Sequence, residues 1–111
     1  ASDSEPEPDI AWIRDKDYSR QHPNPDDVLL LIEVADASLQ YDRGAKLEAY
    51  ARAAIPEYWI VNLVDVQLEI YREPSGSAFK TTLIHRRDEH AVSPLALPSA
   101  KISAAELFAK L

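Results

Sequence analysis

Residues 28–34 read VLLLIEV, six apolar residues around one carboxylate. The run does not alternate polar with apolar. A continuous β-rich apolar stretch of this length predicts a strand buried on both faces, at the centre of a sheet. Glu33 is the exception, since every other position from Val28 to Ala35 is apolar. A lone ionised carboxylate in such a place costs far more than the net stability of a small domain. Either Glu33 sits at the strand's carboxyl end and reaches water, or it is buried with a cation, a metal or a raised pKa.

Working outward, DIAWIR at 9–14 predicts a short strand, with Ile10 and Trp12 on one side and Ala11 and Ile13 on the other. The polar stretch 15–27, with Pro23 and Pro25, reads as a loop. After a link at 36–41, a helix is expected from Arg43 to Ala54. Asp42 would be its N-cap and Pro56 enforces its stop. EYWIVNL (57–63), VQLEIYR (66–72) and AFKTTLI (78–84) read as strands, joined by turns at Val64–Asp65 and at PSGS (74–77). A further strand is expected at His90–Val92, after a turn near Asp88–Glu89. Ser103 with Glu106 forms a capping box that opens a terminal helix, SAAELFAKL. The order β, β, α, β, β, β, α predicts an α/β fold, one mixed sheet flanked by helices. Residues 1–8, ASDSEPEP, read as a flexible acidic segment, and 9–111 as a single domain.

The chain has 111 residues and no cysteine, which excludes disulfides, zinc–thiolate sites and a cysteine nucleophile. Two glycines, Gly44 and Gly76, exclude a Gly-rich phosphate cradle. No signal peptide or membrane-spanning run is visible, which points to the cytoplasm. The net charge is −7, and it is lopsided: residues 1–42 carry eleven acids against three bases. A dominant basic patch, the usual footprint of a nucleic-acid binder, is missing there. The acidic excess fits a solvated surface, or carboxylates gathered for a metal.

Three residues carry the candidate chemistry. Asp9 opens the first strand directly after Pro8. If the first two strands are neighbours, Asp9 and Glu33 approach each other. Two converging carboxylates repel unless a cation lies between them, and Mg²⁺ or Mn²⁺ suits such an all-oxygen site. Taken alone, an Asp after Pro is more often a turn residue. Lys46 shares a helix face with Asp42 and Tyr50. It forms either a surface ion pair with Asp42 or a charge that swings toward Asp9 and Glu33 to stabilise a developing negative charge.

Pro8-Asp9, Glu33-Val34, Asp42, Lys46, Tyr50 and Glu57-Tyr58-Trp59 stand in the order of a family pattern. The chain resembles the Uma-two family of bacterial restriction-endonuclease-like proteins, strongly over residues 7–63 and most specifically at YARAAIP followed by EYWIVNL. That family looks like part of the PD-(D/E)xK nuclease superfold. The resemblance implies a restriction-endonuclease-like core, with Asp9 and Glu33 as Mg²⁺ ligands and the Val34 carbonyl as a further ligand. It also implies hydrolysis of DNA phosphodiester bonds. Where the superfold places a lysine two residues after the glutamate, this chain has Ala35. The resemblance implies that Lys46 replaces it. Family members usually carry a longer region before the Pro-Asp, so the domain is expected to be incomplete relative to them. A homodimer is expected to cover an open sheet edge.

Other constellations are weaker. HRRDEH (85–90) reads as a polar hairpin turn rather than a metal site. Tyr50, Tyr58, Trp59 and Tyr71 read as core, and Tyr41 and Arg43 fall near where a phosphate would bind. Two functions remain in view: a Mg²⁺-dependent DNA endonuclease, and an inactive nuclease-fold module that acts in oligomerisation or binding.

Overall fold

The computed structural model describes residues 8–20, 22, 24–86 and 91–109. The structure is an α/β fold built on a five-stranded mixed sheet in the order β1-β2-β3-β4-β5. The strands are β1 (Ile10–Ile13), β2 (Val28–Ala35), β3 (Glu57–Asn62), β4 (Gln67–Ser75) and β5 (Ala78–Arg86). Helices α1 (Leu39–Arg43) and α2 (Ala45–Arg52) form the crossover between β2 and β3, which pair in parallel. The other neighbours pair antiparallel. A terminal helix α3 spans Ala104–Ala109. Among the described residues no helix is long and apolar enough to cross a membrane.

The apolar run 28–34 becomes β2, and its two faces serve two cores. Leu31 and Ala35 join Tyr50, Ile55, Tyr58 and Ile60 beneath α1 and α2. Leu30 joins Trp59, Val61, Leu68 and Ile70 on the opposite face, where α3 and the segment around Val92 pack. Strand β3 is buried at every position, as a central strand covered on both sides must be. Trp12 belongs to the α3-side core, while Ala11 and Ile13 line a groove beneath α2. The two sides of β1 are therefore as expected.

Several expectations need correction. The helix is not one element from Arg43 to Ala54. It starts at Leu39 and breaks at Gly44, whose ψ of −98° departs from helical geometry. Asp42 is not an N-cap; it lies inside α1, and Ser38 holds the cap position. Beyond α2, Ala54 takes the left-handed conformation (φ 59°), and the Ile55 amide donates back to the Tyr50 carbonyl. That closes the helix, whose last residue, Arg52, lies four positions before Pro56. Strand β4 runs on to Ser75, and a two-residue turn containing Gly76 (φ 64°) leads into β5. His85 and Arg86 are strand residues rather than part of a turn. Val92 joins no sheet strand and instead makes an isolated bridge to Ile102. The expected turn near Asp88–Glu89, with His90, and all but Pro8 of the acidic segment 1–8, lie outside the described residues. Ser103 does cap α3, accepting from the Glu106 amide at 3.0 Å.

Candidate functional site

Antiparallel pairing places Ile10 opposite Ile32, so Asp9 falls beside Glu33 at the end of β2. A reciprocal backbone clasp joins them. The Val34 amide donates to Asp9 Oδ2 at 2.7 Å, and the Asp9 amide donates to Glu33 Oε1 at 3.3 Å. The two acids, 24 positions apart, are thus brought together by strand register.

Glu33 does not reach water at the strand end: it is 2% exposed. Residues Leu31, Glu33 and Ala35 face the helix layer. Two α2 side chains meet the carboxylate. The Tyr50 hydroxyl donates to Oε2 at 3.0 Å, and Lys46 Nζ stands 3.1 Å from the same oxygen. Burial pushes the Glu33 carboxyl above its ordinary value, and the nearby Asp9 charge adds to this. Lys46 and Tyr50 pull it back only in part.

Lys46 is no surface ion pair. Its side chain is 13% exposed and bridges Glu33 and Asp42 Oδ1, the latter at 3.3 Å. Burial works against its charge, but the two carboxylates outweigh it, so the ammonium holds its proton more tightly than usual. The ammonium also lies over the half-exposed Tyr41 ring, 5.4 Å from its centre. Asp42 is buried. Ser38 Oγ donates to its Oδ2 at 2.8 Å, whereas among the described residues Oδ1 has no hydrogen-bond donor and faces the Lys46 charge. The Tyr58 hydroxyl donates to the Asp42 carbonyl at 2.9 Å and ties α1 to β3.

Glu69 and Glu57 are further buried acids to which the sequence assigns no chemical role. Glu69 accepts from Arg43 Nε at 2.9 Å and Nη2, from Tyr71 at 2.7 Å, from Asn62 at 2.7 Å and from Gln67 at 3.0 Å. Burial alone would raise its pKa, but these donors pull it down to about 2. Arg43 is therefore committed to a carboxylate. Glu57 faces the other layer. It accepts from Trp59 Nε1, from Arg72 and from the Leu95 amide, and so fastens the 93–95 segment to the sheet. The available signal was the one that exposed Glu33: an acid flanked by large apolar residues.

The oxygen ligands the structure brings together here are the carboxylates of Asp9 and Glu33. Among the described residues no group of three or more His, Cys, Asp or Glu converges on one point. Two carboxylates suit Mg²⁺, which keeps several of its waters and takes one or two acidic ligands. Glu33 Oε1 carries a single long backbone bond, and Asp9 is exposed to solvent, so both can still accept a hard cation. The residues therefore fit the ion. Beside them an apolar groove of about 670 Å³ runs from Pro8 past Ile13 and Val28 to Tyr50 and Ile55.

A family model described as "Putative restriction endonuclease" (Uma2) matches residues 1–105. Among solved structures, a "putative nuclease belonging to DUF820" from Anabaena variabilis superposes with a TM-score of 0.58 at 15% identity. The match covers 74% of this chain and 44% of the other, so the chain spans less than half the length of that protein. At this identity the likeness speaks for the fold. No curated protein matches the sequence.

Proposed function

The chain belongs to the Uma2 family, and on that footing we propose that it is a Mg²⁺-dependent nuclease domain that hydrolyses DNA phosphodiester bonds. One observation carries the proposal: a largely buried lysine on α2 and an exposed aspartate just before β1 meet at one buried glutamate on β2. Asp9 and Glu33 hold the ion, with the Val34 carbonyl as a further ligand and Mn²⁺ as a substitute. A bound Mg²⁺ supplies Lewis-acid polarisation of the scissile phosphate.

The protein's own groups supply the rest. The Tyr50 hydroxyl fixes the orientation of Glu33 by holding Oε2. That leaves Oε1, on the Asp9 side, for the cation. Lys46 keeps a permanent positive charge beside the ligand pair, where it attracts a phosphodiester and stabilises the negative charge that builds on its oxygens. It does the work that a lysine two residues after Glu33 would do, because its side chain reaches from α2 to Glu33 on β2.

Mn²⁺ binding by calorimetry tests this without any assumption about substrate. Wild type is expected to bind, and folded Glu33→Gln and Asp9→Asn variants are expected to lose binding. Binding that is unchanged in both variants overturns the assignment of ligands. A wild type that binds no ion favours the alternative, a nuclease-fold module without chemistry, to which the net charge of −7 lends support.

A further inference from the structure

Glu69 is a buried carboxylate that the proposed chemistry does not use. Replacing such an ion pair by apolar residues is often neutral or stabilising, so its presence is not explained by stability alone. What it grips is informative. Arg43 ends α1, a helix of five residues that cannot persist by itself. The Gly44 break separates α1 from α2, so α2 does not hold it by helical continuity. A Cβ at Gly44 would stand 3.0 Å from the Gln40 carbonyl, which keeps the break tight.

The anchors of α1 are therefore tertiary. Leu39 enters the core, Tyr58 holds the Asp42 carbonyl, and Arg43 reaches Glu69 on β4. Asp42 and Arg43 are consecutive. One holds Lys46, the other is held by Glu69. We propose that Glu69 is a positioning residue: by gripping Arg43 it fixes α1, and so keeps Asp42 against Lys46 and Lys46 against Glu33. The importance of this for function rests on Lys46 belonging to the phosphodiester site; the mechanical link does not.

The link is read from the rate at which an amine-acetylating reagent modifies Lys46, followed by peptide mass spectrometry at one pH. Exposed Lys80 and Lys101 serve as internal references. In wild type Lys46 is expected to react slowly. In Glu69→Gln it is expected to react about fivefold faster or more, as local opening of α1 exposes it, with Lys80 and Lys101 unchanged. The double variant Arg43→Met with Glu69→Leu removes both charges, so its fold does not depend on an unpaired buried ion, and it is expected to show the same release. Leu68→Ala, in the opposite core, destabilises without touching α1 and is expected to leave Lys46 slow. Folded variants in which Lys46 stays as slow as in wild type overturn the proposal. So does an equal acceleration in Leu68→Ala. Neither metal nor nucleic acid is present, so a failure here is separate from a failure of the nuclease proposal.

Discussion

Glu33 and Glu69 stand in one row across the sheet with Ile60 between them: Ile60 pairs with Glu33 on β2 and with Glu69 on β4. Both are buried beneath the helices, yet they titrate in opposite directions. Glu69 has a two-pronged guanidinium and three neutral donors, and its pKa is held down to about 2. Glu33 shares one ammonium with Asp42, lies beside the Asp9 charge, and is pushed up. The acid with unmet demand for positive charge is the one beside a second carboxylate.

The Glu69 network makes the fold sensitive to acid. Between the ordinary carboxyl value of 4.5 and about 2, the unfolded chain binds a proton that the folded chain does not. Stability therefore falls as pH drops through this window. The contribution, present in full at neutral pH, is about 3 kcal/mol at ~1.36 kcal/mol per unit. Urea denaturation at pH 7 and pH 3 should show about 2 kcal/mol of this loss in wild type, the remainder following below pH 3. It should be much smaller in Glu69→Gln; equal losses would be inconsistent with the network.

Glu33 works in the opposite sense. Its folded pKa is raised, so the folded state favours the protonated form and stability declines as pH rises through its ionisation. Glu33→Gln removes that penalty. In metal-free buffer, the Tm of the variant relative to wild type should increase with pH, and excess Mn²⁺ should stabilise wild type alone. A Tm difference independent of pH would show that Glu33 carries no such penalty.

Lys46 is the cation for two buried acids. Lys46→Met leaves Glu33 and Asp42 without it and should destabilise the domain by about 3 kcal/mol in urea denaturation. Lys46→Arg keeps the charge and should lose less. Comparable losses in both would show that side-chain shape, rather than charge, is what the site requires.

On the other layer, Glu57 accepts from the Leu95 amide at 2.8 Å, and Arg72 donates to the Ser93 carbonyl at 2.7 Å. Glu57→Gln should loosen the 93–95 segment. Hydrogen exchange at Leu95 should accelerate by about tenfold or more, while the amides of β3 stay protected. An unchanged rate at Leu95 would mean that the clamp does not hold the segment.

Much of the fold was legible in short-range pattern. VLLLIEV and EYWIVNL are apolar enough that only two-sided burial accommodates them. A turn before β5 declares itself by Gly76, though Pro74 and Ser75, read with it, prove to be strand residues. The helix start was misplaced because Asp42 is a good N-cap in isolation, and local propensity cannot anticipate a bond from Ser38 and an ion pair with Lys46. Glu69 was passed over because Leu68, Glu69, Ile70 and Tyr71 do not by themselves show that the Glu69 face is covered. Arg43, 26 positions away, helps to cover it.

The sequence by itself determined the strand–helix order, the placement of β2 inside a sheet, though not at its centre, and the anomaly of a carboxylate within it, because these follow from hydrophobic period and chain stiffness over a few residues. The tertiary structure alone decided that Glu33 is buried, that Lys46 reaches it, that Asp42 serves Lys46 rather than a helix end, and that Arg43 answers to Glu69. Those are contacts between segments that only strand register and helix packing bring together, and the charge state of each group depends on which partner arrives.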